Sequence, residues 1–199
     1  MSVKKDNEVT LKIASSVEKF LNEVLARGFE ITEKFILNDY YYIPKSLNLK
    51  NLTTREILSK AIIVRKYENI TFNEKYDWLI FKKKEIDDLG NILSQETVKV
   101  DLVNTNDIFN FLEKIEYELL INIYEEDIVF KNDKISFALK DVRDGEKLIE
   151  SEIEEENPNK DSVTKIIENL KKENIPLDYS NYYIKKAEIE VNKLLGRQN

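Results

Sequence analysis

The chain has 199 residues, 42% hydrophobic and 35% charged, with a formal net charge of −7; that suits one domain spanning residues 1–199 with a sizeable core, and argues against nucleic acid as a partner. Cysteine and histidine are both absent, which excludes disulfides, thiolate chemistry, histidine bases, Ser-His triads and most zinc or copper sites. Any metal would be held by oxygen, as Mg²⁺, Mn²⁺ or Ca²⁺ is.

Glu8-Val9-Thr10-Leu11-Lys12-Ile13 alternates polar and apolar. It predicts a half-buried strand with Glu8, Thr10 and Lys12 on one face. Ser15-x-x-Glu18 is a capping-box pattern opening a helix with the apolar stripe Val17, Phe20, Leu21, Val24 and Leu25, and Gly28 follows as its C′ residue. Residues 29–43 read as a long strand ending in Asp39-Tyr40-Tyr41-Tyr42, stopped by Pro44. Residues 45–60 are a loop with one helical turn after the Thr53 cap. Strands follow at 61–68, carrying Arg65, and at 75–84, ending in Phe81-Lys82-Lys83-Lys84. A turn at 87–91 leads into a return strand at 93–102 with Glu96.

The second half repeats this plan weakly: strand, helix, long strand, hairpin. Residues 106–116 form a helix with Ile108, Phe109, Leu112 and Ile115 on its apolar stripe, and 117–131 a long strand. A hairpin comes next, with one strand at 135–142, the polar turn Arg143-Asp144-Gly145-Glu146, and a return from Leu148. The turn rests on Asp-Gly, where glycine tolerates φ > 0. The return strand puts Glu150, Glu152 and Glu154 on one face and Ile149, Ser151 and Ile153 on the other. Three carboxylates in a row repel unless that face lies in open water or holds a cation. Asn157-Pro158-Asn159-Lys160 ends the sheet. Helices at 162–173 and 180–195 close the chain, with Tyr179, Tyr182 and Tyr183 expected to pack the last one. No apolar run near 20 residues and no signal-peptide pattern occurs, so a cytoplasmic protein away from membranes is expected.

The fold class is therefore α+β: about eight mostly antiparallel strands closing into a barrel, with amphipathic helices outside. The charged strand faces would line its lumen. Such a lumen suits a metal-bound polyphosphate, with carboxylates on the metal and Lys or Arg on the phosphoryl oxygens.

The order Glu-x-Thr-x-Lys, helix, Gly-Phe, Asp-x-Tyr, an Arg strand, a Lys strand and a late Leu-Ile-Glu-x-Glu resembles the CYTH superfamily over roughly residues 7–195. These are the triphosphate tunnel proteins, among them class IV adenylate cyclases and thiamine triphosphatases. The resemblance implies Mg²⁺ or Mn²⁺ at Glu8, Glu150 and Glu152. It implies a triphosphate or nucleotide at Lys12, Arg65 and Lys82, with Asp39, Tyr41 and Glu96 supporting in the lumen. Triphosphatase or adenylate cyclase activity would follow. Exposed edge strands near Tyr40 to Ile43 would let two copies pair as a homodimer.

The departures from that pattern fall on charge. Thr10 stands for the middle acid of the first motif, Ile63 for the first Arg of Arg-x-Arg, and Ser94 for an Arg two before Glu96. Glu125 and Asp127 stand where the family has Lys-x-Arg. The acid of the seventh strand falls at Lys140 or Asp141, and a one-residue shift reverses which of them points inward. Three readings follow: a metal-dependent enzyme on a triphosphate, a binding module without turnover, and an interaction protein whose lumen is held by internal ion pairs. A net positive pocket beyond the metal acids favours the first two, and an acid-rich, ion-paired lumen the third.

Overall fold

The structure, a computed structural model, describes residues 6–86, 92–154, 160–180 and 185–197. The expected turn at 87–91, the end of the sheet at 157–159, and Tyr182 and Tyr183 lie outside these residues. The first half runs β1 (Asp6–Ile13), α1 (Val17–Ala26), β2 (Glu30–Pro44), α2 (Thr54–Leu58), β3 (Ile62–Asn69) and β4 (Glu74–Ile86). The second runs β5 (Ile92–Asp101), α3 (Thr105–Lys114), β6 (Tyr117–Lys131), β7 (Ser136–Val142) and β8 (Lys147–Glu154). Then come α4 (Lys160–Lys172), β9 (Leu177–Asp178) and α5 (Lys186–Leu194).

All the strands join one sheet in the order β5-β4-β3-β2-β6-β7-β8-β1-β9. The internal repeat is visible in it. The long strands β2 and β6 pair antiparallel at the centre, and the first strand of each half crosses to the other half, β1 onto β8 and β5 onto β4. Curling brings β1 against β5. Among the described residues no ladder joins those two, so the expected eight-stranded closed barrel is a nine-stranded sheet with an open seam. The strand that sequence did not suggest, β9, pairs with β1 at Lys12 and Ile13.

Alternation separates two cores. On the convex side Val9, Leu11, Phe137, Leu139 and Ile149 meet Phe20 and Val24 of α1 and Val163, Ile166 and Leu170 of α4. Each such side chain contributes about 1.5–3 kcal/mol by leaving water. On the concave side Tyr41, Ile43, Ile63, Ile80, Ile123 and Val142 pack with Ile57 of α2, and Ala187 of α5 and Leu195 cover them. So α2 and α5 close part of the concave face with apolar contacts, joined by the Arg55–Glu188 ion pair.

Local signals need three corrections. Helix α1 is capped by Ser16, whose hydroxyl accepts from the Lys19 amide, not by the Ser15 box; the Thr53–Glu56 box does form. In the β7–β8 turn the residue with positive φ is Asp144, at 57°. Gly145 is required for room: a Cβ there would lie 2.5 Å from Glu190 Oε1 and 2.7 Å from Val142 Cγ1. Finally, Tyr40, Tyr41 and Tyr42 are paired on both sides, to β3 and to β6. This segment is interior, so two copies cannot pair through it. Among the described residues no helix is long and apolar enough to cross a membrane.

Candidate functional site

The concave face carries the charge. Register places Glu8 opposite Glu152 and Thr10 opposite Glu150, so the acids of β1 and β8 share that face. Asp39 is opposite Arg65. Lys82 and Lys84 alternate inward on β4, and Lys140 does so on β7. The start of α5 adds Lys185 and Lys186. Thr10 and Asp39 apart, these groups line a cavity of about 240 Å³ whose walls carry seven cationic side chains and four acidic ones.

At its buried end each of Arg65, Lys140 and Lys186 has a carboxylate partner. The Arg65 guanidinium donates twice to Asp39, at 2.6 and 2.7 Å. Lys186 donates to Glu125 at 2.6 Å and lies 3.5 Å from Asp39. Lys140 donates to Asp127 at 3.0 Å, with Glu125 and Glu150 each at 3.5 Å. Asp39 and Glu125 are 0% exposed and Asp127 1%. Burial alone would raise the Asp39 carboxyl, but Arg65 and Lys186 outweigh it and hold it well below the usual range. Burial raises Asp127 to about 7 despite Lys140, with Glu125 adding repulsion.

The outer end is different. Carboxylate oxygens of Glu8, Glu150 and Glu152 lie within 4.8 Å of one another. Glu8 is held only loosely, by the Thr10 hydroxyl at 3.5 Å and Lys84 at 4.0 Å. Burial would raise Glu8, but Lys84, Lys185 and Lys82 outweigh it and keep the carboxyl ionised. Lys185 donates to the Glu8 backbone carbonyl at 2.7 Å, and among the described residues its ammonium has no carboxylate in hydrogen-bond contact. Lys82 makes no hydrogen bond or ion pair among the described residues. Burial, then repulsion from Lys84 and Arg65, pulls its ammonium down to about 8.

Of the residues singled out from sequence, Glu8, Glu150, Glu152, Arg65, Lys82 and Tyr41 line this cavity, and Asp39 lies behind Arg65. Burial pushes the Tyr41 hydroxyl up to about 12, so it stays protonated. Lys12 is not among the lining residues; it pairs with Glu146 at 3.0 Å, both partly exposed. Glu96 is a correction. It is exposed and in register with Lys83, on the outward face, while Gln95 and Thr97 take the inward positions opposite Lys84 and Lys82. Lys140, not Asp141, points inward; Asp141 pairs with Lys147. Sequence reasoning missed Lys84, although strand alternation from Lys82 points to it. It also missed Lys185 and Lys186, which only the docking of α5 brings in.

The donor set of the outer acids, three carboxylates and no nitrogen or sulfur, fits Mg²⁺ or Mn²⁺. No family model matches the sequence, and no curated protein matches it. Solved structures do match. The PH1819 protein of Pyrococcus horikoshii OT3 has a TM-score of 0.71 at 16% identity, over 94% of this chain and 99% of its own. A candidate adenylate cyclase from Vibrio parahaemolyticus has 0.58 at 15%, over 91% and 97%. HpAC1 of Hippeastrum, a candidate adenylyl cyclase with a dominant triphosphatase activity, has 0.58 at 14%, over 98% and 97%. At these identities the likeness is one of fold, and the fold is that of the triphosphate tunnel proteins.

Proposed function

We propose that this protein binds a phosphorylated anion together with Mg²⁺ or Mn²⁺ in the lumen, as a metal-dependent phosphohydrolase of the tunnel fold. The observation that carries this is Lys82, a partly buried ammonium with no counter-charge in contact among the described residues, beside Lys84 and next to three clustered carboxylates. Natural proteins rarely keep a buried cation without an anion. Glu8, Glu150 and Glu152 would hold the metal, which supplies charge neutralisation at phosphoryl oxygens. Lys82, Lys84 and Lys185 would grip and orient the anion. Hydrolysis is the activity to test before nucleotide cyclisation, because it needs only water besides the anion, and because HpAC1 of the same fold is chiefly a triphosphatase.

The paired buried end supports a second reading, a tunnel-fold binding or interaction protein without turnover. Glu125 and Asp127 there neutralise Lys140 and Lys186 internally.

A thermal-shift screen with Mg²⁺ or Mn²⁺ plus orthophosphate, pyrophosphate, tripolyphosphate or ATP tests the proposal. A ligand that binds only the folded state raises Tm by mass action. A metal-dependent rise is expected, and no rise with any anion would sink the proposal. Phosphate release from the anion that binds then separates the two readings. Glu152→Gln should weaken metal binding about tenfold or more while leaving Tm unchanged without metal, since Glu152 is exposed. Unchanged metal affinity would remove Glu152 from the site.

A further inference from the structure

The outer and buried ends of the cavity set a limit on the length of what it holds. Any phosphoryl group beyond the reach of Lys82, Lys84 and Lys185 must find its cations at Arg65, Lys140 or Lys186, or at Arg55, which Glu188 engages. Those are already matched. Arg65 is engaged by both oxygens of Asp39. Lys186 is engaged by Glu125, and Lys140 by Asp127 with Glu125 and Glu150 close by. Turning any of these three toward a ligand would take the nearest cation from a carboxylate that is 0–1% exposed, and breaking a buried pair from one side is strongly unfavourable. Behind these cations Glu125, held ionised by Lys140 and Lys186 despite its burial, would also repel an incoming anion, and its Oε2 has no hydrogen-bond partner among the described residues. Repulsion between like charges in such a site is large.

Resting on the anion reading above, we propose that the lumen is built for a short anion of one or two phosphoryl groups, the size of orthophosphate or pyrophosphate. A triphosphate chain gains nothing from its third group. Three lysines and one divalent metal, set against three carboxylates, leave positive charge for an anion of that size. The charge reversal at Glu125, Asp127 and Lys140 fixes the limit, because it fills the buried end with its own ion pairs.

Isothermal calorimetry of the full chain with Mn²⁺ tests this, using orthophosphate, pyrophosphate and tripolyphosphate, each checked by ³¹P NMR for integrity after the run. Pyrophosphate and tripolyphosphate should bind within about threefold of each other, whereas one added charge-assisted contact would make the longer anion tighter by tenfold or more. Lys82→Met should weaken both by about tenfold or more. Glu125→Gln sharpens the test. It releases Lys186 and Lys140 from their shared carboxylate, so tripolyphosphate should overtake pyrophosphate. A wild-type preference for tripolyphosphate of tenfold or more overturns the length limit and leaves the anion reading standing. No binding of any of the three overturns both.

Discussion

Two ends of one cavity, built from different strands of one sheet, treat charge in opposite ways. At the buried end every cation has a carboxylate partner, and the carboxylates are almost wholly out of water. At the outer end Lys82 has no hydrogen-bond or ion-pair partner among the described residues, and Glu8 only distant ones. On the proposed anion reading, the difference separates structure from function in this lumen. A matched buried pair adds specificity to the fold and is expensive to break from one side. An unmatched cation detracts from stability, so its retention needs another explanation, and a bound anion supplies one.

The largest effect should come from the buried end. Arg65→Ala leaves the Asp39 carboxylate without its bidentate partner and should destabilise the protein by roughly 3–5 kcal/mol in urea unfolding. A cost near zero would mean that Lys186 alone satisfies Asp39, and the contrast between the ends would weaken.

A smaller effect concerns pH. Lys82 binds its proton less tightly in the folded chain, near pH 8, than its ordinary value of 10.5. Between those values the unfolded chain holds more protons at this site, so this site's contribution to stability rises with pH there. Wild type should gain on Lys82→Met by roughly 1–3 kcal/mol between pH 7 and 10.5. Parallel pH profiles for the two proteins would show that Lys82 is not perturbed. The smallest effect is remote from the cavity: Ser16→Ala, which removes the α1 cap, should cost about 1 kcal/mol and leave anion binding as it was.

Much of this was legible beforehand. Strand alternation in Glu8 to Ile13 and in Leu148 to Glu152 set the acids against the core correctly, because one face is buried and a slip would expose Val9, Leu11 and Ile149. Glu96 was misplaced by one residue. A register shift between Glu85 and Ile86 changes the phase of β5 against β4, and nothing in the residues announces it. Two-residue β9 is too short to carry a pattern. Lys185 and Lys186 read as part of the closing helix at 180–195; they enter the lumen because α5 docks across its end, with Glu190 set against Gly145. That contact depends on residues far apart in sequence, which periodicity does not report. The pairing of Lys140 with Asp127 was open for the same reason, since the sequence fits either face.

The most direct test of an outer end kept open for an anion is the unfolding free energy of Lys82→Met at pH 7, with and without Mn²⁺ and pyrophosphate. Without ligand the variant should be more stable than wild type by roughly 1–3 kcal/mol, as removal of an unmatched buried charge predicts. With saturating ligand the order should reverse, since only the wild-type site binds tightly and gains by mass action. A variant less stable than wild type in the absence of ligand would contradict the account, because Lys82 would then be holding the fold together.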